Sequence, residues 1–456
     1  MVDDGAPAGF PTAAEAAQAY DEIDLNRAIQ SYRQFFPTVS GYMILKGNDD
    51  LGLVLNEVFG TLATEPKHVG LTLNSDTPYA PILLDLSDGP MVIELPAGPL
   101  ICIAMDVNQR WVLDMGLPGP DAGQGGRHLL LPPGYEGDIP DGYYVGRATS
   151  NRLIVGVRSL PIGGDVGEAT ERLTTVKVHP LTPSADWTDP VFRDLTPLPQ
   201  DTTPDSIEGT IGFWRALHTI VDEEPPVPLY RVGYGELAAL GIEKGRPFAP
   251  DERMAGILTR AAAIGDQQLR VESFADRRPD RIVWPGERWE WAALRFENGD
   301  FDTPDAVDTV ARDKWFFQAI GASPAMFRRD AKAGSLYWLG LRDSEGRYLD
   351  GSNRYTLTVP LPVPGTLFWS VTAYDAQARS QIQNSVGRSL LSSLFDFPDA
   401  TGDAITLEFG PDRPDADDAH WIQTVPGRGW FVYFRIYGPQ GAAFDRSWSL
   451  PDFSRG

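Results

Sequence analysis

Two blocks of this chain alternate apolar and other residues with a period of two, and a stretch of helix-like spacing lies between them. Successive side chains of a strand point to opposite faces, so each alternating run predicts a half-buried strand. From about Leu71 to Val178 the runs PMVIELP, LICIAMDV, HLLLPPGY, GYYVGRAT and RLIVGVRSL are short and divided by Gly, Pro and Asp. After Gly334 the pattern returns in SLYWLGLRD, RYTLTVPLP, TLFWSVTAYD, AITLEFG and WFVYFRIYG. Several short strands at such spacing predict a sandwich or jelly roll, here twice. No fixed-period repeat relates the two blocks.

The other segments read as helix and linker. Thr12 and Glu15 form a capping box, and Leu25, Ile29, Tyr32 and Phe36 follow at helical spacing until Pro37, which is expected to end the helix. The Pro- and Asp-rich stretch HPLTPSADWTDPVFRDLTPLPQDTTP reads as a linker. Asp205 and Glu208 are expected to cap a helix carrying Ile207, Ile211, Trp214, His218 and Val221 on one face. Pro250 and Asp251 precede a second, with Met254, Ile257, Leu258, Ala261 and Ile264, and a third is expected over about 303–320. At 456 residues the chain exceeds one ordinary core. The expected fold is mainly β with helical additions: a helical segment over 1–60, a sandwich over 61–185, linker and helices over 186–334, and a second sandwich over 335–456.

Composition excludes some partners. The formal net charge is −24, a field that repels phosphate backbones, so nucleic acid is not an expected partner. No window approaches the roughly 18 consecutive apolar residues of a membrane span. The single cysteine, Cys102, lies in an apolar strand run and reads as a small core hydrophobe. The opening MVDDGAPAGFPT has no basic n-region and no apolar h-region. It suits a mature exported chain, periplasmic or secreted, whose signal was removed, and equally a cytoplasmic start. There is no Walker A loop, dinucleotide fingerprint, HExxH, GxSxG or paired CxxC, and His68, His128, His179, His218 and His420 have no ligand-like spacing. Neither a cofactor nor a metal is expected.

Chemistry-bearing residues gather in LTLNSDTPYAPILLDLS, where Asn74, Ser75, Asp76, Thr77, Pro78 and Tyr79 interrupt two apolar runs. Asn and Asp suit a turn that closes on nearby backbone amides. Alternatively, Asp76, Tyr79 and Asp106 supply acid–base chemistry, with Asn74, Thr77, Asn108 and Trp111 binding a polar substrate. On that reading Asp76 faces a cleft, ionised near neutral pH and held by Asn74, Thr77 or a backbone amide, with the Tyr79 hydroxyl available beside it. In the second block Trp369, Val371 and Ala373 should face the core, leaving Ser370, Thr372 and Tyr374 on the other face. Asp375 and Arg388 follow, with Asn353 and Arg354 upstream; Arg388 either pairs with Asp375 or grips a ligand. Trp284, Trp289 and Trp291 sit with Glu287, Arg288 and Glu290, and these aromatics, Trp289 and Trp291 on one face if extended, either stack on a sugar ring or pack an interface; Trp289, Glu290 and Trp338 are the ligand-binding candidates. The acidic run DRPDADDAH reads as a solvated loop before a cation site, and His218 as a satisfied core histidine.

The pieces LNSDTPYAPILLDLSDGPMVIELP, DRIVWPGERWEWAAL, SLYWLGLRD, LFWSVTAYD and GWFVYFRIYGP resemble, in this order, a bacterial pair of domains of unknown function, family 1254 over roughly 60–185 and family 1214 over roughly 335–450. The resemblance implies two jelly-roll-like sandwiches with helical additions, and many relatives carry export signals. Pro78 departs from the Leu that many relatives hold there, which stiffens the turn before Tyr79. The function expected is a hydrolase or lyase on a polar, carbohydrate-like substrate, using carboxylates in a cleft between the sandwiches. The alternatives are a non-catalytic protein binding a glycan or small polar ligand, or a structural protein of the envelope; pairing with a second copy as a homodimer is a further expectation.

Overall fold

The computed structural model describes residues 9–294, 301–329, 334–398, 400–416 and 420–456. Its architecture is mainly β with helical additions, as the alternation requires. The first sandwich pairs two four-stranded sheets. One runs in the order Tyr79–Asp85, Arg152–Ser159, Leu100–Asp106, Trp111–Gly116, antiparallel throughout. The other runs Lys177–Pro180, Met91–Leu95, Gly126–Leu131, Tyr144–Arg147. Ile82, Leu84, Cys102, Ala104, Val155 and Val157 turn one face of the first sheet into the core between them. The period of two then commits the alternate residues of those strands to the outer face.

The second sandwich has a five-stranded sheet in the order Glu290–Trp291, Ser335–Gly340, Trp430–Tyr437, Trp369–Asp375, Leu390–Ser392. It packs on a four-stranded sheet of His420–Gln423, Ala404–Gly410, Tyr355–Pro360 and Ser454–Arg455. Trp369, Val371 and Ala373 enter the core with Val432, Phe434 and Ile436, as their phase predicts. The strand Glu290–Trp291 joins this sheet from the segment read as helical.

Three local expectations are corrected. Pro37 does not end the first helix, which runs Ala13–Asp49 behind the expected Thr12–Glu15 capping box. Pro37 cannot donate to the carbonyl of Arg33, but Arg312 Nη2 donates to that oxygen at 3.1 Å and also to Gln34 O. A tertiary donor thus satisfies the acceptor that proline orphans. The expected cap at Asp205 gives way to Thr210, whose hydroxyl accepts from Gly212 N–H and opens the helix Ile211–Glu223. Asp251 does cap Glu252–Phe274, accepting from Met254 N–H at 2.8 Å. The helix expected over 303–320 is shorter, Thr309–Gln318, with Asp308 as its cap.

The stretch read as a linker is tied down. Val191–Asp194 pairs in parallel with Val58–Thr61, and Gln200–Asp201 with His68–Val69. Helices Ala13–Asp49, Ile211–Glu223 and Glu252–Phe274 pack through Tyr32, Phe36, Phe213, Trp214 and Leu258 into a separate core. No helix among the described residues is long and apolar enough to cross a membrane.

Candidate functional site

The outer face of the first sheet lies against the outer face of the second, and the NSDTPY loop enters between them. On the first sheet the register sets two rows: Tyr79 beside Arg158 beside Ile101, then Pro81 beside Gly156 beside Ile103 beside Asp114. On the second sheet Ser335 lies opposite Tyr437, and Tyr337 opposite Arg435, with Ser370 beyond; Thr372 faces Tyr433. The hydroxyl face expected of Ser370, Thr372 and Tyr374 is therefore the face that meets the first domain.

The loop is held by hydrogen bonds from both sides. Thr72 adopts φ 48°, an unfavourable region for a β-branched residue. Its N–H donates to Arg379 O at 2.8 Å, and its carbonyl accepts from Tyr374 Oη at 3.1 Å and Arg435 Nη2 at 3.0 Å. Such contacts fix a strained residue that local sequence would not choose. Asn74 closes the turn, accepting from Asp76 N–H at 3.0 Å and donating to Tyr79 Oη at 3.1 Å. Asp76 is fully buried; its Oδ2 accepts from Ser370 Oγ at 2.8 Å and Tyr437 Oη at 3.1 Å, while Oδ1 has no partner among the described residues. The expected donors, Asn74 and Thr77 side chains, serve Arg158 instead: Nε donates to Thr77 Oγ1 at 2.9 Å, and Nη2 to Asn74 Oδ1 at 3.3 Å and Tyr437 Oη at 2.9 Å. Burial raises the Asp76 carboxyl above its usual value, against the pull of Arg435, Ser370, Arg158 and Tyr437. That direction runs opposite to the expectation of a carboxylate held ionised by its loop.

Beside this polar cluster lies a cavity of about 190 Å³. Its walls are chiefly apolar, including Ile44, Leu62, Ile103, Met105, Ile154 and Trp315, while Asn74, Tyr79, Arg158, Tyr337, Tyr433 and Arg435 line its polar end. Arg435 donates to Thr372 Oγ1 at 3.0 Å and Tyr374 Oη at 2.7 Å, and lies over the rings of Tyr337, Tyr374 and Tyr433. Arg158 lies over the rings of Tyr79 and Tyr437. All of the hydrogen bonds just named for the two guanidinium groups go to neutral acceptors. Burial pushes the Tyr79 phenol above its usual value, although Arg158 and Arg435 oppose this; Tyr433 and Tyr437 are pushed well above. These phenols are hydrogen-bond donors at neutral pH and poor bases.

Residues 57–180 match a family described as a protein of unknown function (DUF1254), and residues 334–441 match another (DUF1214). The chain belongs to the family that joins these two domains. The polar cluster thus stands where the DUF1254 sheet meets the DUF1214 sheet. No curated protein matches the chain. Among solved structures it is similar to the VPA0106 protein from Vibrio parahaemolyticus, with 17% identity, a TM-score of 0.58 and coverage of 95% of this chain and 100% of that one. An uncharacterized protein from Burkholderia cenocepacia has 13% identity and a TM-score of 0.39, covering 97% of this chain and 96% of its own. At 17% identity the likeness to the Vibrio protein speaks for fold alone.

The other residues singled out from sequence scatter. Asp106 is buried in its own turn, accepting from Asn108 N–H and Arg110 N–H at 3.0 Å and from Thr149, and is not part of the cavity wall. Asn108 accepts from Thr38 Oγ1 at 2.8 Å on the helical side. Trp111 is half-buried, and its indole acts on the Asp114 carboxyl as a hydrogen-bond donor. Trp289 is core, donating to Pro451 O, and Trp338 stacks on Trp448 and Phe434. Glu290 accepts from buried Lys314 at 2.5 Å and from Arg281 at 3.1 Å. Tyr374 does reach the cluster, donating to Leu73 O at 2.8 Å. Asp375 pairs with Arg428 at 2.7 Å, and Arg388 with Asp396, so the expected Arg388–Asp375 bond is not formed. Arg354 is exposed, 3.9 Å from Asp412. His218 is satisfied by Arg246 O at 2.7 Å. Of the acidic run, 417–419 lie outside the described residues.

Sequence reasoning passed over Arg158, Arg435, Tyr337 and Tyr437. A signal was present: Tyr433, Arg435 and Tyr437 share one phase of WFVYFRIYG, and a guanidinium in so apolar a strand needs buried acceptors.

Proposed function

We propose that this protein binds a small organic acid with a mostly apolar body in the cavity between the two sheets, its carboxylate lying against Arg158. One observation carries the reading. Arg158 Nε and Nη2 are occupied, whereas Nη1 has no acceptor among the described residues, in the wall of a chiefly apolar chamber. A buried guanidinium is costly without compensation, and a carboxylate is its natural bidentate or single-point acceptor. The local charge supports this: two arginines share one carboxylate, Asp76, which burial drives toward its neutral form. A volume near 190 Å³ exceeds the roughly 150 Å³ that suffices for benzene, so the body is ring-sized or a branched chain of similar bulk.

Binding is favoured here over carboxylate acid–base hydrolysis of a carbohydrate-like substrate. Asp76 and Asp106 do not line the chamber, Asp114 does but has no second carboxyl beside it in that wall among the described residues, Tyr79 is kept protonated by burial, and chiefly apolar walls suit a polyol poorly.

The test uses 3-phenylpropanoate in thermal-shift and calorimetric titrations. At one hundred times its Kd a ligand confined to the folded state adds about 2.7 kcal/mol of stability, a readable rise in Tm. Gly156→Val serves as the control, because a Cβ there meets Ile103 Cγ2 at 3.8 Å and otherwise projects into open space. The variant should melt within a few degrees of the parent and lose the ligand-induced shift. Absence of saturable binding by the parent, or equal binding by Gly156→Val, would refute the assignment.

A further inference from the structure

At the corner of the chamber diagonal to Arg158, Asp114 and Ser323 meet. Asp114 stands on the same outer sheet face, two strands across and two residues along from Arg158, by the pairings Ile101 with Arg158, Ile103 with Gly156, and Ile103 with Asp114. Strand spacing and rise put the two Cα positions about 12 Å apart. Between them the floor is Ile101, Ile103 and Gly156, with no polar side chain. Asp114 Oδ2 accepts a long hydrogen bond, 3.4 Å, from Ala325 N–H. Ser323, 1% exposed, lines the same chamber, and its hydroxyl has no well-formed hydrogen bond among the described residues. The Asp114 carboxyl leans on the Ser323 hydroxyl, the Ala325 amide and the Trp111 indole, none of them a short, well-formed hydrogen bond, and a carboxyl and hydroxyl so loosely held in the wall of one cavity can take up a guest's hydroxyl.

We infer that Asp114 and Ser323 read a hydroxyl at the far end of the bound acid, so that the ligand class is a hydroxylated aryl or similarly compact carboxylate. The inference rests on the binding reading above and narrows it. The ligand hydroxyl donates to the Asp114 carboxylate and accepts from Ser323 Oγ, which satisfies both groups at once. A ring bearing a short acid chain on one side and a hydroxyl opposite spans the apolar floor from one corner to the other. An unsubstituted ring would strip water from both groups and leave them only each other and their loose protein neighbours, and that penalty is the source of selectivity.

The experiment is a pair of calorimetric titrations at pH 7.5 with 3-phenylpropanoate and 3-(4-hydroxyphenyl)propanoate, on the parent and on Asp114→Ala. The parent should bind the hydroxylated acid about tenfold more tightly, the order expected for a hydrogen bond to a charged group. Asp114→Ala should erase the preference, chiefly by binding 3-phenylpropanoate more tightly than the parent does, because the carboxylate that an unsubstituted ring strips of water is gone. Equal affinity of the parent for both acids, or a preference that survives in Asp114→Ala, would overturn the hydroxyl assignment and leave the Arg158 site standing. Failure of the parent to bind either acid would overturn the binding reading and this inference with it.

Discussion

Single residues here are set by burial more than by their neighbours in sequence. Burial pushes the Asp114 carboxyl up to about 6, while the neighbouring Ser323 hydroxyl, the Ala325 amide and Arg328 pull the other way. The folded chain therefore holds a proton that the unfolded chain releases near 3.8. Between those values the native state binds more protons, so this contribution to stability is complete below pH 3.8 and lost as pH rises through about 6. The total is about 3 kcal/mol. Urea unfolding of the parent and Asp114→Asn across pH 4–8 should show the variant gaining on the parent by that order as pH climbs; parallel curves would contradict it. Cys102, buried in the first core, has its thiol pushed well above its usual value. A disulfide-exchange reagent should leave it unlabelled until denaturant is added.

Elements show how tertiary contacts decide where local rules stop. The helix from Ala13 continues past Pro37 because Arg312, on Thr309–Gln318, supplies the donor that proline lacks. Arg312→Ala should cost about 1–3 kcal/mol in a denaturant titration, since two part-buried carbonyls lose their partner. If the loss is instead below a few tenths of a kcal/mol, water replaces the guanidinium and the explanation of the uninterrupted helix fails. Strands obey the opposite logic. Their period of two assigned Trp369, Val371 and Ala373 to one face and Ser370, Thr372 and Tyr374 to the other, and packing followed that assignment.

At the scale of the whole molecule the two sandwiches are joined by buried polar contacts rather than by a tether. Arg158 donates to Tyr437 at 2.9 Å, Ser75 donates to Gln381 at 2.8 Å, and Asp76 is held by Ser370 and Tyr437. Each of these groups would lose its partner if one domain opened alone, a cost of several kcal/mol for the charged ones. The domains should therefore unfold together. Cys102 labelling reports the first core, and tryptophan fluorescence reports mainly the second, where Trp284, Trp289, Trp338, Trp369 and Trp430 are buried. The two midpoints in denaturant should coincide; separated transitions would show that the interface does not couple them.

Sequence alone determined the parts that depend on local periodicity. The two β units, the Thr12 and Asp251 caps, the buried cysteine and the family pairing all follow from residues near one another in the chain. It also drew notice to NSDTPY, because a polar loop at the end of an apolar run is conspicuous. It did not determine what that loop touches. Arg158 lies 82 residues after Asp76 and Tyr437 another 279 beyond, so only the docking of two outer sheet faces brings them together. Asp106, Arg388 and Trp289 stay out of the candidate site, since each finds a satisfying partner within its own unit. Local pattern fixes which face a side chain points from. What that face meets is decided by contacts across hundreds of residues, whose energies have no local signature in the sequence.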